Sequence, residues 1–430
     1  MSQPQPGQPG ARSTRLNPQA ATPLHIAAWA CFLGCSWTWV IGMLLPILLV
    51  RDYGVWGFVV FAAPNVLGAM AMGLVLQAPG RAARVLDEHR VMAGVFSNFT
   101  WVFHLLVLCW ISAAMLGWPS VVMLLVLVPV ARLLNIASPH RTRHLLVAAV
   151  GVAIFSWVLW AMCSGFDGAW TMPAASRLST TDLLLFAPAS VLGFVLCPYL
   201  DRTFYRARIA LPGRAGGWAF VLGFCGVFFS MILFALMYAG VAQPIFQFEM
   251  RNRISYALPA VWLAPLAAFW MIQAVFTMTL HEPPEERGTA GGRATSGSGA
   301  ELIGIGAIGA AAILGVLVLR YDLWPLAWRG GLTPFEVGYR VFLLGYGVVF
   351  PAYVWLCMLP TRRPAPLAGK VKVFFVASVL ALPMGYAGFV LAQAWWTLGV
   401  LAVLLAARGV VMWQSRRPQR KTRAEPGGAV

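Results

Sequence analysis

From residue 25 to residue 413 the sequence repeats one device, an apolar run followed by a short polar connection. A helix rises 1.5 Å per residue, so about 20 apolar residues cross the hydrocarbon of a bilayer. Twelve runs meet that length: 25–50, 54–77, 93–117, 119–137, 143–164, 182–208, 216–240, 254–280, 301–320, 334–359, 371–392 and 394–413. Of the 430 residues, 60% are hydrophobic and 10% charged, where a soluble domain carries roughly 25% charged residues. The expected fold class is therefore an all-α polytopic membrane protein of about 12 transmembrane helices. Its first partner is the lipid bilayer.

The net charge of +17 does not point to nucleic acid, because no basic face with interleaved aromatics occurs. The positive residues mark topology instead. With both termini in the cytoplasm, 22 of the 31 Lys and Arg fall in inside segments and 6 in outside connections. That asymmetry follows the positive-inside rule, and omitting one central helix would destroy it. The expected location is the plasma (cytoplasmic) membrane, a cell inner membrane.

The chain divides accordingly. Residues 1–23, rich in Pro, Gln and Gly, read as a disordered cytoplasmic tail without a cleavable apolar segment. Five helices occupy 24–164, and an outside connection follows at 165–181. Residues 182–360 hold five more helices and a flexible cytoplasmic linker at 283–300. Two additional helices fill 361–413, and 414–430 form a basic cytoplasmic tail. The charged stretch 80–92 reads as a short amphipathic helix on the cytoplasmic surface, and 241–253 as a connection able to hold another. Seven cysteines lie in or beside apolar runs, which fits helix packing better than disulfides.

Two spans carry helix-breaking residues. The first places Gly34, Cys35, Ser36 and Thr38 near mid-bilayer, then Gly42 and Pro46. The sixth carries Pro188, Gly193 and Pro198. Each is followed by a glycine-bearing connection and a long helix. Starts five spans apart run in opposite directions, so spans 1–5 and 6–10 read as inverted repeats. The breaks are expected at Gly34 to Ser36 and at Leu196 to Tyr199.

The stretches "GCSWTWVIG", "FAAPNVLGAMAMG" and "LGFVLCPYLDRTF", with this topology, resemble the leucine-transporter-like five-plus-five fold of the APC superfamily. Within it the chain is most similar to the sodium:solute symporter group, over about residues 25–360. The resemblance implies secondary transport by alternating access, with substrate and coupling ion at the broken helices. It also implies hydroxyl ligands for sodium on span 8. That span has no central hydroxyl pair, only Ser255 near one end and Thr277 and Thr279 near the other. Coupling to a sodium ion or to a proton, or to no ion, therefore stays open. No cofactor is expected.

Candidate substrate- or ion-binding residues follow from polarity at membrane depth. They are Gly34, Cys35, Ser36, Trp37 and Thr38 at the first break, Asn65 after Pro64 in span 2, and Asn98, Thr100 and His104 in span 3. Cys197, Tyr199 and Asp201 stand at the second break. Ser97, Thr100 and His104 share one helical face. Each polar residue has a structural alternative: Ser36 and Thr38 can bond their own helix backbone, and His104 can serve a neighbouring helix or a proton relay. Asp201 reads as the cap of a restarted half-helix, within reach of Arg208 two turns on.

No Walker loop, GxSxG elbow, HExxH or CxxC occurs, so an enzyme is not expected. The function expected is secondary active transport of a small solute. The alternatives are a non-transporting sensor or scaffold on the same fold, and a membrane enzyme acting on a lipid-linked substrate. Oligomeric state is not legible in the sequence.

Overall fold

A computed structural model describes residues 22–116, 141–173, 175–246, 258–281, 331–361 and 366–416. The expected spans 119–137 and 301–320, the linker 283–300 and most of both tails lie outside the described residues. Among the described residues all regular structure is helical. Nine helices of the described residues are long and apolar enough to cross a membrane, and a bent pair of shorter helices makes a tenth candidate among them. The chain is an integral membrane protein.

The bent pair is the first expected span. Helix α1 (Pro23–Trp37) starts with Thr22 accepting at its side chain from the His25 nitrogen and Pro23 in the first turn. Helix α2 runs Val40–Tyr53, and the two halves meet at 55°. Gly54, at φ 68°, turns the chain between α2 and α3 (Val55–Val75), a conformation glycine adopts without strain.

Helix α4 covers Arg81–Glu88 and α5 covers Arg90–Leu116. The amphipathic stretch expected over 80–92 thus ends at Glu88, and Arg90 already belongs to the third span. His89 marks the corner, its Nδ1 3.1 Å from the Tyr353 hydroxyl. Helix α6 spans Arg141–Cys163.

The sixth expected span is α7 (Thr180–Leu196), a 3-10 turn at Cys197–Leu200 and α8 (Arg202–Ala210). Ser179 and Asp182 form a reciprocal capping box at its start. Helices α9 (Gly213–Val221) and α10 (Phe229–Ala242) join through a π-helical segment into one long span. Helix α11 runs Ala260–Leu280. Helices α12 (Pro334–Leu344) and α13 (Phe350–Tyr353) belong to a single span reaching Met358, with π-helical turns between and after them. Helices α14 (Leu367–Gly385) and α15 (Trp396–Gln414) pack against each other.

The broken first span sits at the centre. Helix α1 packs along the π-helical segment 222–228 and along α6, while α2 packs along α10. Small residues let backbones approach. A Cβ on Gly68 of α3 would stand 2.6 Å from the Val195 Cα of α7, and one on Gly34 would stand 2.6 Å from the Val227 side chain. Close packing of this kind supplies what lipid cannot, since lipid leaves no hydrophobic drive between helices.

Two buried polar anchors tie the span ends. Arg51 forms a fork with Glu336, at 2.9 and 2.5 Å, and Arg340 binds Glu336 at 2.9 Å and also Asp52. This joins the end of α2 to α12 with two positive and two negative charges. The second anchor is Arg208, whose guanidinium donates to the carbonyls of Leu76, Gln77, Leu211 and Gly213. Arg208 therefore holds chain ends, and the expected pairing with Asp201 does not occur.

Candidate functional site

The first break lies at Thr38 and Trp39, beyond the Gly34 to Ser36 expected from sequence. Glycine and small polar residues there remain helical because neighbours hold them. Gly34 receives Val227, Cys35 Sγ points at the Ala149 carbonyl at 3.7 Å, and Ser36 and Thr38 donate to the carbonyls of Leu33 and Gly34. At Trp39 the backbone turns to ψ 168° and the helix stops.

Side chains bond the backbone at and just after the break. The Val40 N–H donates to His104 Nε2 at 3.5 Å, and His104 Nδ1 lies 2.7 Å from the Thr100 carbonyl. This arrangement places the ring proton on Nδ1 and leaves Nε2 as the acceptor. Tyr339 donates to the Val40 carbonyl at 3.2 Å and Tyr238 to the Met43 carbonyl at 2.7 Å. The shared face of Ser97, Thr100 and His104 is buried, and Thr100 Oγ1 accepts from Tyr346 at 2.9 Å. Asn98 faces out, exposed and away from the break. Trp37 donates to Asn65 Oδ1 at 2.6 Å, which ties the end of α1 to α3.

The second break is the 3-10 turn Cys197–Leu200. Pro198 has no N–H to donate; Cys197 before it keeps helical angles, φ −51° and ψ −41°, against the expectation from its proline neighbour, and the chain turns extended only at Asp201, ψ 113°. The turn closes with the Asp201 nitrogen on the Pro198 carbonyl at 3.0 Å. Cys197 is buried, while Tyr199 is half-buried and its carbonyl accepts from the Tyr205 hydroxyl at 2.8 Å. Asp201 caps α8: its Oδ1 accepts from the Thr203 nitrogen at 2.7 Å and from Thr203 Oγ1 at 2.6 Å. Thr203 Oγ1 in turn lies 3.3 Å from Ser36 Oγ. The two breaks therefore stand side by side.

Between them lies a group that sequence reasoning missed. His281, the residue after α11, puts Nε2 3.7 Å from Asp201 Oδ2, with both side chains fully buried. The Trp39 ring stands 5.8 Å from the His281 ring and 5.0 Å from the Tyr346 ring, centre to centre. Among the described residues, Asp201 Oδ2, Trp39 Nε1 and both His281 nitrogens have no hydrogen-bond partner, and neither does Thr277 Oγ1 one turn earlier on α11. A histidine that closes an apolar run was the available signal. It reads as a loop residue until the end of α11 is brought against the restarted half-helix.

Buried polar groups are nearly always hydrogen-bonded, and leaving one unpaired costs about 1–3 kcal/mol in proteins. Asp201 Oδ2 and the His281 ring face each other between the two breaks, and the Trp39 ring borders them. Aromatic walls from Trp39, Phe96 and Tyr346 surround the pair. A combination of flat apolar walls and few polar groups suits a small, largely uncharged organic molecule.

No model of a protein family matches the chain, and no curated protein matches it. The site's chemistry therefore carries the functional reading.

Proposed function

We propose that the chain is a secondary active transporter of a small solute, working by alternating access at the paired breaks. The carrying observation is the convergence of unpartnered buried polar atoms, Trp39 Nε1, Asp201 Oδ2 and those of His281, where two helices are interrupted. Irregular backbone at membrane depth is tolerated only where it is buried in protein or lines a wet cavity. Transporters use that exception to bind substrate at half-helix ends.

The proposal includes the leucine-transporter-like architecture: twelve spans, inverted repeats over 24–164 and 182–360, and both termini in the cytoplasm. The 55° bend in span 1 and the 3-10 break in span 6 support it; the five-span offset between them is an expectation from the apolar runs of the sequence. A plasma-membrane location belongs to the same reading. In this conformation Asp201 and His281 are shut from solvent. The four charges of Arg51, Asp52, Glu336 and Arg340 hold α2 against α12, and this clasp has to open for the solute to enter from that end.

Reconstitution in liposomes with a broad solute panel tests the reading. Saturable uptake that is lost in Asp201→Asn and weakened in Trp39→Phe is expected. Failure of the folded wild type to move any solute, with or without ion gradients, would sink it and favour a sensor or scaffold. Turnover of a lipid-linked substrate would instead favour an enzyme.

A further inference from the structure

Asp201 uses only half of its carboxylate. Oδ1 is taken twice by Thr203, and Oδ2 faces His281 Nε2 at 3.7 Å with no other partner among the described residues. Capping a half-helix needs one oxygen. The second oxygen and an entire unpartnered imidazole are surplus to the fold.

We propose that Asp201 and His281 together form a proton-binding site and that a proton is the coupling ion, an inference that rests on the transport reading above. When the pair is deprotonated it carries one negative charge, spread towards the neutral ring. Taking one proton from water neutralises it, as a carboxylic acid donating to Nε2 or as an imidazolium beside a carboxylate. Either form holds the same single proton, and the pair titrates as a unit. Release returns that proton to water on the other side, so no other bond changes.

Burial supplies the coupling. An uncompensated charge in a closed site costs several kcal/mol, so the closed state forms readily only around the neutral pair. When the site opens and water enters, the negative pair is hydrated and the proton can leave. The 3.7 Å gap leaves room to contract to a hydrogen bond of about 2.8 Å when the proton arrives.

The other titratable groups facing the pair are already committed. His104, on α5, spends both ring nitrogens on Thr100 and Val40. Tyr346 donates to Thr100, Tyr205 to the Tyr199 carbonyl and Arg202 to the Arg90 carbonyl. Cys197 contributes a buried thiol from the adjoining turn. Arg202 is the positive charge facing His281, and it favours the form in which the added proton rests on Asp201. A sodium ion fits less well, because the imidazole that faces Oδ2 brings at most one nitrogen where sodium needs several oxygens.

Infrared difference spectra of the full chain in liposomes, titrated from acid to alkaline pH, read the site without any solute. One carboxylic C=O band should appear on acidification, vanish in Asp201→Asn and shift in His281→Gln. Size-exclusion profiles and circular dichroism identify which variants remain folded, and His281→Gln serves if Asp201→Asn does not. Identical spectra for the wild type and a folded variant would overturn the proton site. For a solute that is carried, an imposed proton gradient should raise accumulation up to about tenfold per pH unit for one proton per neutral solute, since one pH unit is worth about 1.4 kcal/mol. Asp201→Asn should abolish that dependence. Uptake driven by sodium and indifferent to pH would overturn the proposal while leaving transport intact. Titration at Asp201 with no solute moved would overturn the transport reading, and the coupling with it, but not the proton site.

Discussion

His104 Nε2 lies 3.5 Å from the backbone nitrogen of Val40, the first residue after the interruption of the central span. A side chain sixty-four residues away thus replaces the carbonyl that a continuous helix would supply. Removing the acceptor strands a buried N–H, at a cost of about 1–3 kcal/mol. His104→Leu should therefore lower the unfolding temperature in detergent, and His104→Gln, which keeps an acceptor, should lower it less. Equal losses would show that the ring only fills space.

Trp37 and Asn65 offer a cleaner pair, joined at 2.6 Å between buried side chains. Asn65→Leu leaves the indole N–H unpaired and should destabilise by about 1–3 kcal/mol. Combined with Trp37→Phe, which removes the donor, the added cost should largely vanish. Thermal unfolding of the two single variants and the double variant would measure the coupling. Additive losses would deny the bond any part in stability.

The clasp at the end of α2 predicts a larger effect. Arg340 binds Glu336 and Asp52, and all three are buried. Removing one partner of a buried ion pair costs about 3–5 kcal/mol because the other charge is left uncompensated. Arg340→Met should be severe. Adding Asp52→Leu should recover at least about 1 kcal/mol, within the coupling expected of neighbours in one network. Unfolding midpoints read the recovery, and a double variant worse than the sum would argue against a mutually compensated network.

Gly68 predicts a packing limit. A Cβ there would stand 2.6 Å from Val195 Cα and 2.8 Å from the Val195 carbonyl oxygen. Backbone cannot swing aside as a side chain does, so Gly68→Ala must separate α3 from α7. A loss of about 1–3 kcal/mol is expected from overpacking. Gly151, whose added Cβ would meet nothing within 4 Å, is the control and should tolerate alanine. Unfolding temperatures of the two variants decide between local and general intolerance.

Membrane residence, the course of the described long helices and the interruption of spans 1 and 6 were legible in the amino-acid sequence. Those properties are local. An apolar run of span length leaves a helix as its only backbone solution in lipid, and Pro198 removes a helix hydrogen bond, although Pro46, Pro64 and Pro188 stay within helices. Where span 1 breaks and what the breaks hold depend on packing between distant segments. Gly34 and Ser36 look like breakers along the chain, yet Val227 packs the first and the Leu33 carbonyl accepts from the second. The break moved to Trp39, whose neighbour Val40 is served by His104. Asp201 looked towards Arg208 on its own helix, but Arg208 is occupied by carbonyls of Leu76 and Gln77. The group that faces its second oxygen, His281, is eighty residues on at the end of another helix. Periodicity and breaker residues report on neighbours in sequence. Which groups meet at a break is chosen by which helix ends packing brings together, and no local pattern records that choice.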